Sequence, residues 1–486
     1  MKRFLTIGLV LLVAALLVGA AQAEKVKHPS KLKYPKVKLS TPEYEELTFA
    51  NGMTGFLIED HEVPVVNVTV IFSTSRPVRD KVGLGGLAAW TMRNGGSEDW
   101  PGDRINEELE FVDAYVEVGR AAGGGGMMGR RRGPSGGGRS TSVSVNCLKK
   151  DLQLCLEIMG ELLVNPTFPD EKIELRRETM LENIRRENDE PRGIAVRELA
   201  RILYGDHPMA WQATEETVSA ITRDDLIVYH QAFFRPNNAI IGISGDVTKD
   251  EIMGLLDEAL ASWEQAEVVI EPEPELPLTF EPSVNYVRKD IDQGVIMIGH
   301  LGLNSRDESR PAVQIVNFIL GGGSFTSRIT QKVRTDEGLA YAAYSRYSHD
   351  AWTYGTFVAS SQTRSDATAR AASLILDLIA EMQAEGPSEE EFENARDAYL
   401  NKQVFDYDSK AAVVQRLVQL KWQGRPLDTP ARDIETIENL TLDDVKAAAA
   451  EYLHPEGLAM LFVGDQEKFE QPLSNFGEVN VIELSE

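Results

Sequence analysis

Cysteine is almost missing from this chain. Only Cys147 and Cys155 occur, too few for a disulfide framework. The first follows an alternating run and the second lies on a helical pattern; two buried free thiols are the plainer reading, beside a single bridge. Histidine is scarce as well. None of His28, His61, His207, His230, His300, His349 and His454 stands at helical ligand spacing from another, so they assemble no three-ligand zinc site. No Gly-x-Ser-x-Gly elbow joins a strand pattern to a helix pattern, and no cysteine–histidine constellation supplies a nucleophile. An independent hydrolase is therefore the weakest reading. Positive charge is in deficit: 50 Lys and Arg against 76 Asp and Glu give a formal net charge of −26. That balance disfavours nucleic acid and favours basic partners or peptides.

Long apolar runs are lacking too. Phe4–Val18 falls short of the ~20 residues a membrane span needs. With Lys2 and Arg3 before it and Ala21-Gln22-Ala23 after it, it reads as a secretory signal peptide over residues 1–23; an uncleaved anchor is the alternative. Cleavage implies an exported, soluble protein with no stable membrane insertion, periplasmic in a Gram-negative source.

What is present is a long-range repeat. Thr222, Pro236, Gly245 and Asp246 recur as Thr441, Pro455, Gly464 and Asp465, each pair 219 residues apart, and Arg177-Glu178 falls on Arg396-Asp397 at the same offset. Asp170 and Glu171, or Glu389 and Glu390, put acids in a helix's first turn, and Ser388 with Glu391 spells a capping box. A period this long is domain duplication, not a solenoid. The Glu/Pro-rich run 267–278 neither propagates a helix nor donates to a sheet. It divides a 24–44 extension and a 45–266 domain from a 279–486 domain. Each half opens with a strand pattern, Val65–Phe72 or Gly294–His300, continues with helices, and closes on a strand. The fold class is α+β: two homologous domains, each an antiparallel-dominated sheet packed against helices. Residues 119–139 interrupt the first half with five Arg, many Gly and no acid, either a flexible hairpin tip or a basic tongue.

Leu320-Gly-Gly-Gly-Ser-Phe-Thr-Ser-Arg-Ile-Thr-Gln-Lys-Val-Arg334-Thr-Asp-Glu-Gly-Leu-Ala-Tyr341 resembles the second-half signature of the M16 (insulinase, pitrilysin, mitochondrial processing peptidase) zinc metallopeptidases. The likeness spans roughly residues 45–480 and implies two LuxS/MPP-like domains. It implies that Arg334 and Tyr341 grip substrate and support the transition state. It also places Gly321, Gly322, Gly323, Ser327 and Arg328 beside the peptide. The family's His-x-x-Glu-His pairs two imidazoles on one helical face with a carboxylate that activates water. Here Gly86 and Trp90 align with the histidines and Ala89 with the glutamate; the third ligand falls on Asn183, with Glu182 beside it. The chain is expected to hold no metal and no other cofactor.

The resemblance thus implies a non-catalytic, substrate-binding subunit of a heterodimeric M16 peptidase that degrades unfolded peptides. Its partner is an M16 subunit with an intact His-x-x-Glu-His and the zinc. The alternative is a structural or peptide-binding scaffold of M16 fold with no role in proteolysis.

Overall fold

A computed structural model describes residues 43–484 except 77, 120–137 and 408. The expected signal peptide, nearly all of the 24–44 extension and the 119–139 insertion apart from Gly119, Gly138 and Arg139 lie outside the described residues. In the first half, six strands form one sheet: β1 Glu45–Thr48, β2 Thr54–Glu59, β3 Val65–Ser73, β4 Tyr115–Gly119, β5 Ser140–Leu148 and β6 Ala239–Gly245, in the order β1-β2-β6-β3-β5-β4. Only β2 and β6 pair in parallel. The helices are α1 Leu84–Gly95, α2 Gly102–Phe111, α3 Leu152–Val164, α4 Asp170–Arg185, α5 Pro191–Tyr204, α6 Glu215–Ser219, α7 Arg223–Phe233 and α8 Lys249–Ala259.

The second half repeats the plan. Its strands are β7 Ser283–Arg288, β8 Gln293–Leu301, β9 Leu303–Asn304, β10 Ala340–Tyr347, β11 His349–Asp350, β12 Thr356–Arg364, β13 Ala459–Gly464 and β14 Val479–Val481. Six of them run β10-β12-β8-β13-β7-β14; the first five repeat the order β4-β5-β3-β6-β2 of the first sheet, and β14 takes the edge held there by β1, while β9 and β11 pair separately. Its helices are α9 Arg310–Asn317, α10 Thr368–Glu385, α11 Glu389–Gln403, α12 Lys410–Trp422, α13 Thr429–Asn439 and α14 Leu442–Tyr452. The 219-residue offset maps the first residues of α4, α5 and α7 onto those of α11, α12 and α14. Thr222 and Thr441 cap α7 and α14 with the same capping box, and Ser388 and Glu391 bond reciprocally ahead of α11. Each half in fact opens one or two strands earlier than the alternation suggests. β1, β2 and β7 precede the Val65 and Gly294 runs, and β14 follows the expected closing strand.

Alternation explains the strands. In β3, Val66, Val68, Val70 and Phe72 are buried while Asn67 and Thr69 point to the other face. That apolar face joins α1, α3 and α7 in one core. The second core is built likewise from Ile296, Ile298, Phe357 and Phe462 against α10 and α14. The opposite face of each sheet is covered by a helix from the other half. From α5, Ile194, Ala195 and Leu199 pack on Val295, Met297, Leu461 and Val463. From α12, Val413, Val414, Leu417 and Val418 pack on Phe56, Ile58 and Ile71. Removing such aliphatic faces from water stabilises by about 1.5–3 kcal/mol per fully buried side chain.

The Glu/Pro-rich run has no helix or strand, as its composition dictates. It is nonetheless pinned. The Glu273 carboxylate, 9 % exposed, accepts from Arg76 Nε at 2.9 Å and from Arg139 Nη1 at 2.5 Å; Arg139 also donates to the Glu271 carbonyl. Arg139 lies over the Trp352 ring of the second half at 5.6 Å. The basic-tongue reading therefore loses Arg139, a buried anchor of the linker. Cys147 and Cys155 are free and buried, and the Cys147 thiol is held protonated by its contact with Cys155 and by burial.

Candidate functional site

The first region is α1, entered through Gly83 in left-handed backbone (φ 110°), a conformation glycine adopts without strain. Gly86 and Trp90, four residues apart, share a face. Gly86 is exposed, and a Cβ there would meet nothing within 4 Å. Ala89 is buried. Trp90 is half-buried, and the Arg176 guanidinium of α4 sits 5.6 Å from its ring centroid. Asn183 and Glu182, two turns further along α4, are exposed. Burial pushes the Arg176 pKa down, and its Nε is buried with no partner among the described residues. Sequence reasoning missed Arg176; its signal was the spacing of seven residues from Asn183, which puts both on one helical face.

These residues do not fit a zinc ion. Glycine and alanine offer no donor atom, indole N–H is not an acceptor, and a guanidinium against the tryptophan repels a divalent cation. No group of three His, Cys, Asp or Glu able to hold a metal occurs among the described residues.

The second region surrounds Arg334 and Tyr341. After α9 the helix widens into a π turn over Phe318–Gly322, and a second π-helical stretch spans Thr330–Asp336. Its loosened ladder continues as Leu339 N donating to Val333 O at 3.0 Å. Such turns recur at functional sites. Glycine is required at 321, where a Cβ would lie 2.3 Å from the Ser345 nitrogen of β10. Between them, Ser324 (φ 60°) stands in left-handed backbone, which lifts Phe325 out to 60 % exposure. Strand β10 bulges between Ala340 and Ala342. A bulge re-aims a side chain, and the extra residue here is Tyr341, 86 % exposed.

Arg334 joins these two rings. Its guanidinium lies 4.6 Å from the Phe325 centroid and 5.2 Å from that of Tyr341, cation–π contacts that hold a flexible side chain at an exposed edge. Phe325 is the member the sequence did not single out. The neighbouring predicted residues are engaged within the chain. Ser327 is buried and bonds Ser324 O and Thr330 Oγ1. Arg328 forks onto both Glu391 oxygens at 2.7 Å and reaches Glu381 and the Gly386 carbonyl, holding the Glu391 carboxyl down at about 2. Arg328 and Glu391 also line an open cavity of about 580 Å³ together with Lys332 and Glu385, but Phe325, Arg334 and Tyr341 do not. From the first half, Arg192 of α5 donates to the Tyr344 hydroxyl at 2.6 Å, three residues along β10 from Tyr341.

Residues 220–399 match the family model described as "Peptidase M16 inactive domain". An uncharacterised zinc protease of Mycobacterium leprae is 24 % identical over 333 residues, 66 % of this chain and 73 % of that protein. A "non-peptidase homolog" of Helicobacter pylori is 24 % identical over 349 residues, 68 % of this chain and 79 % of that protein. Among solved structures, a peptidase M16 inactive domain from Pseudomonas fluorescens superposes with a TM-score of 0.76 at 22 % identity, covering 89 % of this chain and all of that one. The periplasmic protease PqqL of Escherichia coli gives 0.71 at 14 % identity, covering 93 % of this chain and 50 % of that one. The chain is thus similar to M16 peptidase-family proteins, through the model match over residues 220–399 and the shared two-domain fold, and no described helix is long and apolar enough to cross a membrane.

Proposed function

We propose that this chain is the non-catalytic, substrate-gripping subunit of a two-chain M16 peptidase that acts on unfolded peptides outside the cytoplasm. Hydrolysis belongs to a partner M16 subunit that carries the intact His-x-x-Glu-His. One observation carries the reading: the positions aligned with the two histidines and the glutamate carry no zinc-ligating side chain, while half-buried Arg334 clusters with the exposed rings of Phe325 and Tyr341 on a bulged sheet edge. Arg334 brings a fixed fork of donors to a peptide carbonyl or carboxylate. Tyr341 brings a hydroxyl that donates to the oxygen of a scissile carbonyl as charge develops there, worth up to about 3–4 kcal/mol for one well-placed donor. Residues 45–266 and 279–486 act as the two domains, joined by 267–278, and residues 1–23 as the export signal.

A scaffold without any proteolytic role is the second reading. What favours it is that Arg334 already stacks on two rings of its own chain. The two readings separate in one assay: peptide hydrolysis by the chain alone, and by the chain with a His-x-x-Glu-His partner, for the wild type, Arg334→Ala and Tyr341→Phe. The subunit reading requires that only the mixture hydrolyses and that both variants slow it. Unchanged rates in both variants establish the scaffold.

A further inference from the structure

The outer faces of the two sheets, each covered by a helix of the other half, can be compared position by position. In the first sheet Asn67 pairs with Ser244 and Thr69 with Gly242. In the second the same register pairs Val295 with Val463 and Met297 with Leu461, and Ser244 and Gly242 stand 219 residues before Val463 and Leu461. The four second-half residues are apolar, buried and packed on Ile194, Ala195 and Leu199 of α5. Their first-half counterparts are two hydroxyls, an amide and a glycine. The helix that lies over them, α12, does not fill the space they leave. A cavity of about 230 Å³ opens there, between the sheet and the first turns of α12.

Its lining is polar and neutral. Thr69 of β3, Ser144 of β5 and Ser244 of β6 present hydroxyls from three adjacent strands, and Gln415 presents an amide from α12. Among the described residues these three hydroxyls and this amide have no hydrogen-bond partner. Tyr115 of the edge strand β4 also lines the cavity and is 47 % exposed. Hydroxyls set between a sheet and its covering helix without partners are unfavourable, and an unfilled space forfeits the contacts that the second half makes. One bound molecule relieves both. It is not an ion: no charged residue among those described lines the cavity, and a buried charge needs a counter-charge. Serine and threonine hydroxyls each donate and accept, as a carboxamide does, so the hydroxyls of a ligand match them in either sense. The outer two strands of the three stand two spacings apart, roughly 10 Å, more than one carboxamide bridges. The tyrosine adds an apolar ring face with a polar tip, which suits a ring with a C–H face and a hydroxylated rim.

We propose that this cavity binds a neutral saccharide, one sugar ring held by Thr69, Ser144, Ser244 and Gln415 against Tyr115. The assignment is independent of the peptide-gripping role. The test uses the full chain. Glucose, galactose, mannose and N-acetylglucosamine are the neutral probes, glucuronate the charged one, and N-acetylasparagine amide the carboxamide. Binding is read by saturation-transfer NMR and calorimetry. At least one neutral sugar is expected to saturate at one per chain in the millimolar range or tighter, and at least tenfold tighter than glucuronate or the carboxamide. Thr69→Val, which removes a hydroxyl and keeps the shape, is expected to weaken that sugar several-fold, and Ser144→Ala likewise. Thr69→Met with Ser244→Val installs the residues of the second half and is expected to abolish binding. If that double variant fails to fold, the two single variants carry the test. The site is overturned if none of the neutral sugars saturates, or if the carboxamide or glucuronate binds as tightly. Saturation that is unchanged in folded Thr69→Val and Ser144→Ala overturns it too.

Discussion

The two exchanged helices solve one packing problem with opposite fits. On the first sheet, Gly242 lies under α12, where a Cβ would come within 2.5 Å of Val414 and 2.6 Å of Val418. At the matching offset, the second sheet places Leu461 and α5 places Ala195, in one core. Small sheet residue meets large helix residue in one half, and large meets small in the other. The duplicated chain has traded bulk between the two partners across the seam, placing it on the helix in one half and on the sheet in the other, an exchange that cores tolerate when the neighbours repack. The halves part company elsewhere. In the first, α1 is an unbroken helix whose tryptophan is covered by Arg176. In the second, π turns and a bulge hold two aromatic rings in solvent around a half-buried arginine. Over Gly86–Trp90 the first half offers a regular helix with no zinc-ligating side chain, while the second half carries irregular backbone and two exposed rings.

The largest expected effect tests what joins the halves. Glu273→Ala leaves Arg76 and Arg139 buried without their carboxylate, and losing one member of a buried ionic cluster costs roughly 3–5 kcal/mol. Chemical denaturation should show that loss; a change under 1 kcal/mol means the linker is not anchored there.

Acid should separate the halves next. Burial holds His230 at about 4 in the first half, and His300 at about 4 and His349 at about 3 in the second. Each folded value lies below the ordinary 6.5, so the unfolded chain takes up the proton first. Stability is therefore full above pH 6.5 and is lost as pH falls toward 4, on the order of 2–3 kcal/mol per histidine. Amide-exchange protection should fall more in the second half than in the first over that range. An equal fall contradicts the assignment.

The seam itself can be inverted. Gly242→Ala should cost about 1–3 kcal/mol through overpacking, and adding Val414→Ala should return about 1 kcal/mol or more of it, since contacting residues couple. Strict additivity of the two changes removes the proposed trade of volume. Smallest, and matched by design, are the caps: Thr222→Ala and Thr441→Ala should each cost about 1 kcal/mol. Unequal costs indicate that the repeat is not equivalent at its most similar point.

Much of this plan could be read from the sequence because caps, acidic first turns and Gly-Asp turns are local signals. They fixed the 219-residue offset from Thr167 onward, and with it the paired helices. The exchange of α5 and α12 could not be read, since an apolar stripe such as Ile194, Ala195 and Leu199 does not say which sheet it covers. Arg139 was hidden by the glycines before it, which describe a tip and not its anchored end. Arg334 and Tyr341 were legible only through their motif. Their stacking with Phe325 depends on widened turns and a bulge, which leave little trace in residue type beyond Gly321 and its neighbours.

The most direct measurement is the rate of hydrolysis of an unfolded peptide by a His-x-x-Glu-His partner mixed with this chain, wild type against Tyr341→Phe. The account predicts no hydrolysis by this chain alone, activity in the mixture, and a fall of roughly 100-fold on removing the single hydroxyl. Hydrolysis by the isolated chain, or an unchanged rate with phenylalanine at 341, contradicts it.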